Sequence, residues 1–185
     1  MIELSNEVIV TDPCYTVGTW CTEKLTNVLS GKYHCYYNSE ETEDWGYRVT
    51  AIKIVHQNYN DSNSAGYDFQ WEEINQEIGV DSGQCGIFDF DYYDREKKTE
   101  EAIKADDSLK WDPFDPSYLY GKCCRATIGE YNSEKCKSIE NKGVVASSGY
   151  GDGTYTLYVA KNLDDKVFAL KLVFIETEKD NYVEI

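Results

Sequence analysis

The stretch GVVASSGYGDGTYTLYVAKNLDDKVFALKLVFI, residues 143–175, indicates the fold more clearly than any other part of the chain. It predicts three successive strands, at 143–146, 154–160 and 166–175, because runs rich in β-branched and aromatic residues are separated by turn formers. A glycine-rich loop joins the first two strands, and residues 162–165 (NLDD) join the last two. Both connections have the residue types of β-hairpin turns, so we expect three antiparallel neighbours.

The rest of the chain adds short strands and little helix. Further strands are predicted at 8–11, 31–38, 45–57, 77–80 and 86–90. The segment 45–57 is the clearest of these, since apolar and polar residues alternate along a half-buried strand. Seven or so strands with few helices predict a β-rich α+β protein, folded as a single domain over 1–185, with an antiparallel sheet or sandwich and a few short helices.

Two segments have the composition of helices. Residues 94–105 (DREKKTEEAIKA) combine strong helix formers with i,i+4 pairs such as Glu100 and Lys104. Because this segment lacks an apolar stripe, we expect a helix that is exposed or loosely held. A second, short helix is predicted at 117–125, with Ser117 near its N-cap.

Charge is the most unusual property of the sequence. The 34 Asp and Glu residues outnumber the 18 Lys and Arg residues, which gives a formal net charge of -16. Such a surface repels phosphate backbones and anionic membranes, because binding to them needs cations that displace counterions. We therefore expect no direct contact with nucleic acid or membrane, and a basic protein partner, such as a nucleic-acid enzyme or ribonucleoprotein. Acidity that serves only solubility explains the composition equally well.

The cysteines and the hydropathy pattern predict a cytoplasmic protein. No stretch reaches the roughly 18 apolar residues that cross a bilayer, and the first residues lack the basic and apolar regions of a secretory signal. The sequence contains 7 cysteines, an odd number that favours reduced thiols over a disulfide framework. Their irregular spacing does not match a zinc knuckle. We expect neither a bound metal nor a cofactor.

An acidic and aromatic region lies between Lys53 and Arg95. It contains no Lys or Arg, nine Asp or Glu residues, and interleaved tyrosines and tryptophan. The acids would steer a basic partner towards this region, and the aromatic side chains would supply contact area. The predicted partner-binding residues are Asp61, Asp68, Trp71, Glu72, Glu73, Glu77, Asp89, Asp91, Tyr92, Tyr93 and Asp94. A plain solvated surface is the other interpretation of such a charged run.

Three loop clusters follow predicted strands and provide an alternative ligand site. They lie at 12–15, 81–86 and 147–155. Such loops can gather at one end of a sheet, where binding sites are common. The predicted ligand-binding residues are Asp12, Cys14, Asp81, Ser82, Gln84, Ser148, Asp152 and Tyr155. Turn formation alone also explains the clusters, because glycine supplies positive φ and aspartate caps its own loop backbone.

Enzyme templates are not matched by the sequence. The two histidines, His34 and His56, lie in strand-like segments, and neither HExxH nor GxSxG occurs. The glycine-rich loop lacks the Lys-Ser/Thr pair and the helix of a phosphate-binding loop. The spacing does not favour a thiol dyad of Cys14 or Cys85 with either histidine. We therefore expect no catalytic residues.

The order of three motifs resembles an uncharacterised family of small bacterial and phage proteins. TDPCY at 11–15, VDSGQCGIFD at 80–89 and SSGYGDGTY at 147–155 are similar to the DSG- or DAG-type turn and the SG(Y/W)GDG-Y loop of that family. The resemblance implies a phage or mobile-element setting and transfers no particular activity. Small acidic proteins of such elements include anti-CRISPR inhibitors of RNA-guided type II nucleases, to which this chain is similar in length and acidity.

These observations lead to two hypotheses about function. The first is an acidic inhibitor that docks on a basic nucleic-acid-handling protein and blocks its nucleic-acid-binding surface. The alternative is a protein, or a hydrolase, that binds a small molecule or nucleotide signal with the Asp- and Gly-rich loops. A plain interaction domain would need neither site, and the sequence leaves the oligomeric state open.

Overall fold

The computed structural model describes residues 1–59, 69–128 and 135–185, which form two antiparallel β-sheets and two α-helices. The larger sheet has eight strands, in the order β1 (Ile2–Leu4), β4 (Gly31–Thr42), β5 (Gly46–His56), β12 (Val167–Val173), β11 (Gly153–Lys161) and β6 (Glu72–Glu73), with β13 (Val183–Glu184) beside β4 and β7 (Ile78–Val80) beside β11. The smaller sheet has five strands, in the order β3 (Glu23–Leu25), β2 (Val8–Thr11), β8 (Gln84–Asp89), β10 (Gly143–Ser147) and β9 (Cys136–Ile139). This architecture confirms the predicted β-rich α+β class.

The main hydrophobic core lies between the two sheets. Tyr33, Ile52 and Leu170 of the larger sheet and Val10 and Ile87 of the smaller sheet are fully buried in one cluster. Alternate residues of a strand face opposite sides, so each sheet buries one set of side chains here. Full burial of a large apolar side chain contributes about 1.5–3 kcal/mol, which makes this layer the main source of stability.

Two helices cover the other face of the five-stranded sheet. α1 runs Phe90–Lys104 and α2 runs Leu119–Thr127. Phe88 from the sheet packs in one cluster with Tyr93 of α1 and Leu119 of α2. Neither helix in the described part of the chain is long and apolar enough to cross a membrane.

The prediction of a helix at 94–105 is confirmed, but the expectation that this helix is exposed or loosely held is wrong. The helix begins earlier, at Phe90, because the buried side chain of Asp89 caps it by accepting a hydrogen bond from the Tyr92 backbone N–H at 3.2 Å. One face of α1 is buried, but an apolar-stripe criterion overlooks it because the face consists of tyrosines and an ion pair. Its buried residues are Tyr92, Tyr93, Lys97 and Glu100.

The ion pair in α1 connects three parts of the structure. The Lys97 ammonium donates to the Glu100 carboxylate at 2.6 Å and to the Pro13 backbone carbonyl at 2.8 Å. The second carboxylate oxygen of Glu100 accepts from the Tyr120 backbone N–H at 2.8 Å, near the start of α2. A buried charge needs partners of this kind, so the pair fixes α1 against the loop after β2 and against α2.

The sequence predictions for the second helix and the glycine-rich loop need correction. The N-cap residue of α2 is Tyr118, while Ser117 donates its hydroxyl and backbone N–H to the Asp115 side chain instead. The strands on either side of the glycine-rich loop do not form a hairpin, because β10 pairs with β8 and β9 in the smaller sheet, whereas β11 belongs to the larger one. The loop is thus a crossover between the sheets.

The second predicted hairpin is confirmed. β11 and β12 pair directly, from Thr156 opposite Val173 to Lys161 opposite Val167. In the turn, the Asn162 side-chain oxygen accepts from the backbone N–H groups of Asp164 and Lys166. This is the local chemistry expected of asparagine in a turn.

Candidate functional site

Asp12 is the centre of the loop clusters. It directly follows β2 and is 0% exposed. Its Oδ1 atom accepts from the Cys14 backbone N–H at 2.7 Å and from the Ser82 hydroxyl at 2.6 Å. Its Oδ2 atom accepts from the backbone N–H groups of Asp81 at 2.9 Å and Ser82 at 2.7 Å. These four hydrogen bonds satisfy a buried carboxylate and join the first loop to the second.

The third loop is attached to the second by backbone hydrogen bonds. The Ser148 backbone N–H donates to the Gly83 carbonyl at 3.0 Å, directly after β10. The Tyr155 hydroxyl then lies at 2.9 Å from the Ser148 carbonyl and at 2.5 Å from the Gly151 carbonyl, across the loop. The structure therefore brings the three predicted clusters together.

Most polar atoms of these clusters point into the protein. Gln84 is buried, with its side-chain N–H donating to the Cys124 sulfur and its oxygen accepting from the Thr127 hydroxyl. Of the eight predicted ligand-binding residues, the two exposed ones are Asp81 and Asp152. The arrangement is that of a structural junction, and ligand binding by the loops stays a prediction that rests on these two carboxylates.

Thiol catalysis finds no support in the geometry. Burial and the neighbouring Asp12 carboxylate raise the pKa of the Cys14 thiol to about 12, which opposes formation of the nucleophilic thiolate. The histidines have other partners: His34 is paired with Glu184, and His56 with the Ser30 carbonyl. Within the described residues, no group of three His, Cys, Asp or Glu side chains is arranged to hold a metal ion.

Three predicted partner-binding residues are inside the protein, so their assignment to a docking surface is wrong. Asp89 accepts from the Ser5 backbone N–H at 2.7 Å and also caps α1. Tyr92 and Tyr93 pack in the core between α1 and the smaller sheet. A buried side chain cannot contact a partner. The rings of Tyr92 and Tyr93 and the carboxylate of Asp89 therefore stabilise the fold instead.

The other residues of that predicted surface lie on separate elements. Trp71 is half-buried, and the exposed acids Glu72, Glu73 and Glu77 follow it at β6 and before β7. Asp91 and Asp94 lie on α1, where Asp94 is paired with Lys98. Asp61 and Asp68 lie outside the described residues. The described acids are therefore close in sequence but lie on different strands, loops and a helix.

A different acidic and aromatic surface lies at the tip of the β4–β5 hairpin. Trp45 is 61% exposed, Tyr47 is 54% exposed and Tyr150 of the glycine-rich loop is 56% exposed. The rings of Trp45 and Tyr150 meet edge to face with centroids 6.3 Å apart. Exposed carboxylates accompany the three rings on the same two segments. We call these residues the tip surface: Trp45, Tyr47 and Tyr150 with Glu41, Glu43, Asp44 and Asp152.

The tip surface is not among the sites predicted from the sequence, because Trp45 was expected at the start of a strand. In the structure, β4 and β5 are joined by a turn at residues 43–45. The acids at 40–44 (EETED) beside a tryptophan were the available signal. The contact with Tyr150 joins residues more than 100 positions apart and needs the fold.

The described chain is an antiparallel two-sheet protein with a helical layer and an acidic, aromatic tip surface. A family model described as "Protein of unknown function (DUF4241)" matches residues 4–172, so the chain belongs to that family. The predicted similarity to an uncharacterised family is confirmed to this extent, and the phage setting stays a prediction. No curated protein and no solved structure matches the chain.

Proposed function

We propose that this protein acts by binding a basic protein partner, without catalysis, through the tip surface. The observation that carries the proposal is the contact between two aromatic side chains, Trp45 and Tyr150, that are both more than half exposed. Tryptophan and tyrosine are the residue types most enriched among the energetically dominant contacts of protein interfaces. Soluble proteins normally expose such side chains singly.

The acids around the rings define the charge of the partner. Glu41, Glu43, Asp44 and Asp152 are exposed, and the whole chain has a formal net charge of -16. Complementary charge accelerates encounter with a basic surface and disfavours acidic partners. One cation is present near the rings, since the Arg48 guanidinium lies 5.6 Å from the Trp45 ring centroid.

The strands and hydrogen bonds that hold Trp45 and Tyr150 in place favour a preformed binding site. Trp45 lies at the turn between two long paired strands, and Tyr150 lies in a loop held by the Ser148 and Tyr155 hydrogen bonds. Side chains positioned in this way lose less conformational freedom on binding, which benefits affinity. Asp12 holds the second loop through Ser82, and the third loop is attached to the second through Gly83, so Asp12 helps to hold the loop of Tyr150 in place.

A nucleic-acid-handling protein is the partner class that we propose. Its groove of lysines and arginines attracts phosphate, and an acidic surface with aromatic anchors can compete for the same groove. An RNA-guided nuclease has such grooves, and an anti-CRISPR inhibitor would act by blocking one. The phage setting implied by the sequence motifs is consistent with this choice.

The test is affinity capture from host lysate at 0.1 M and 1 M salt, followed by measurement of the affinity for the captured protein. We expect a basic nucleic-acid-binding protein, captured at low salt, displaced by its own nucleic acid and lost at high salt, because the Debye length falls from about 10 Å to about 3 Å. Trp45→Ala with Tyr150→Ala should weaken binding at least about tenfold.

A matched control is available in Trp20, which is 79% exposed on another loop. Trp20→Ala removes the same type of side chain and should leave the affinity unchanged within about twofold. Equal losses of affinity in the Trp20→Ala variant and in the double variant of Trp45 and Tyr150 would contradict the assignment of the surface. Binding that is insensitive to salt would contradict the role of charge.

A further inference from the structure

A cavity lies on the outer face of the larger sheet, beneath the chain segment that follows β12. Its volume is about 370 Å³. The segment arches over β4 and is fixed there, because the Asn38 side-chain N–H donates to the Lys179 carbonyl at 2.7 Å and Thr177 donates to Glu40 at 2.7 Å. The residues that matter for its chemistry are Asn38, Ala51, Trp71, Lys171, Asp180 and Tyr182.

Two lysines lie side by side at this cavity. Lys53 on β5 is directly opposite Lys171 on β12 in the sheet register. Like charges directly opposite each other repel, so this register places two positive charges beside the cavity. Lys171, which lines the cavity, makes no ion pair with any described residue, and its ammonium lies 4.8 Å from the Trp71 ring centroid.

Lys53 is the buried member of the pair. Its ammonium lies 3.8 Å from the Tyr182 ring centroid and 5.6 Å from that of Tyr36. Burial lowers the pKa of Lys53 to about 8; the Asp180 carboxylate opposes this shift, and the charge of Lys171 adds to it. An anion bound beside Lys171 would therefore also be attracted by Lys53 behind it.

A buried hydrogen-bond acceptor without a partner belongs to a residue of the cavity wall. Asn38 is 2% exposed, and its Oδ1 atom is closed to solvent and makes no hydrogen bond with any described residue, while its side-chain N–H donates to the Lys179 carbonyl. Buried polar atoms are normally paired, so this oxygen would gain a partner if a donor of a bound ligand reached it. Ala51, which faces Asn38 across the strands, keeps the floor of the cavity open.

We propose that this cavity binds a small organic anion, a carboxylate or phosphate monoester with a planar body and an N–H or O–H donor. The anionic group contacts Lys171, the donor reaches the Asn38 Oδ1 atom, and the planar body lies against Trp71 and Tyr182. Glu176 and Asp180 also line the cavity, and their carboxylates can accept from further N–H donors. The cavity therefore favours a ligand that has both an anionic group and a donor over a simple anion. The site is separate from the tip surface.

The test is an NMR titration of the whole protein with labelled lysine side chains. The probes are adenosine 5′-monophosphate for the phosphate source and 4-aminobenzoate for the carboxylate source, with inorganic phosphate, acetate and adenosine as partial ligands. At least one full probe should shift the Lys171 and Lys53 signals saturably and raise the Lys53 pKa from about 8, since a bound anion stabilises the charged amine. Phosphate and acetate should bind at least tenfold more weakly, and adenosine should not shift the lysine signals.

Lys171→Gln and Lys137→Gln form a matched pair of variants. Each removes one positive charge, but Lys137 is exposed on β9 in the other sheet. Lys171→Gln should weaken binding of the full probe at least tenfold with its thermal unfolding unchanged, and Lys137→Gln less than twofold. Failure of both full probes to saturate the lysine shifts, or equal losses in the two variants, would overturn the proposal. Neither result affects the test of the tip surface.

Discussion

Asp12→Ala is expected to lower the free energy of unfolding by about 4 kcal/mol, a large part of the 5–15 kcal/mol typical of a folded domain. The substitution removes a carboxylate that accepts four hydrogen bonds. The donors, on Cys14, Asp81 and Ser82, then lose their acceptor at a position that is closed to solvent, since Asp12 is 0% exposed. Urea denaturation followed by far-UV circular dichroism measures the change.

Asp152→Ala is the control for this prediction. Asp152 is an exposed aspartate in the third loop, so its substitution should change stability by no more than about 0.5 kcal/mol. Asp12→Asn should be intermediate or as damaging as alanine, because its amide group retains one oxygen acceptor but presents N–H to the remaining donors. An Asp12→Ala protein as stable as the unmodified chain would show that the loops hold together without the carboxylate.

The sequence was sufficient to predict eight of the thirteen strands in the described part of the chain, because their residue preferences are local. The five strands that it did not predict, β1, β3, β6, β9 and β13, have only two to four residues each. The segment 45–57 corresponds to β5 at Gly46–His56, although Val49 to His56 are buried at every position, and not at alternate ones as the pattern predicted. The turn at Asn162 joins β11 and β12 as expected. Alternation and turn chemistry are decided by neighbouring residues, which a single sequence displays directly.

Predictions that depended on the partner of a strand were less reliable. Gly149, Gly151 and Gly153 have positive φ as expected, yet their loop connects two sheets and not two strands of a hairpin. Turn residues specify the local bend of the chain, but the destination of the next strand depends on long-range packing.

The candidate sites also differ between features that are local in sequence and features that depend on long-range packing. The sequence placed Asp12, Asp81 and Ser148 in three loops, and the structure joins these loops. It could not indicate that Asp89, Tyr92 and Tyr93 face the core, because an acidic and aromatic composition is the same for a docking surface and for a capped, buried helix. The hydrogen-bond partners make the distinction, and apart from the capped Tyr92 backbone N–H they are remote in sequence, as Ser5 is for Asp89 and Tyr15 is for Tyr93.

Lys97→Met is expected to lower the free energy of unfolding by about 3–5 kcal/mol, because it leaves the buried Glu100 carboxylate without its cation. It also leaves the Pro13 carbonyl without the donor that now lies at 2.8 Å. The double variant Lys97→Met with Glu100→Gln removes both charges and keeps an acceptor for the Tyr120 backbone N–H. It should be more stable than the Lys97→Met single variant, as measured by urea denaturation.

Lys98→Met separates this effect from a general loss of charge on α1. Lys98 is the next residue, its side chain is 72% exposed, and it forms an ion pair with Asp94 at 2.6 Å. Exposed pairs of this kind contribute about 0–1 kcal/mol, so the Lys98 variant should remain close to the unmodified protein. If the two lysine variants lose stability equally, burial is not the cause. If the double variant is no better than Lys97→Met, the contact with Pro13, and not the uncompensated charge of Glu100, accounts for the loss.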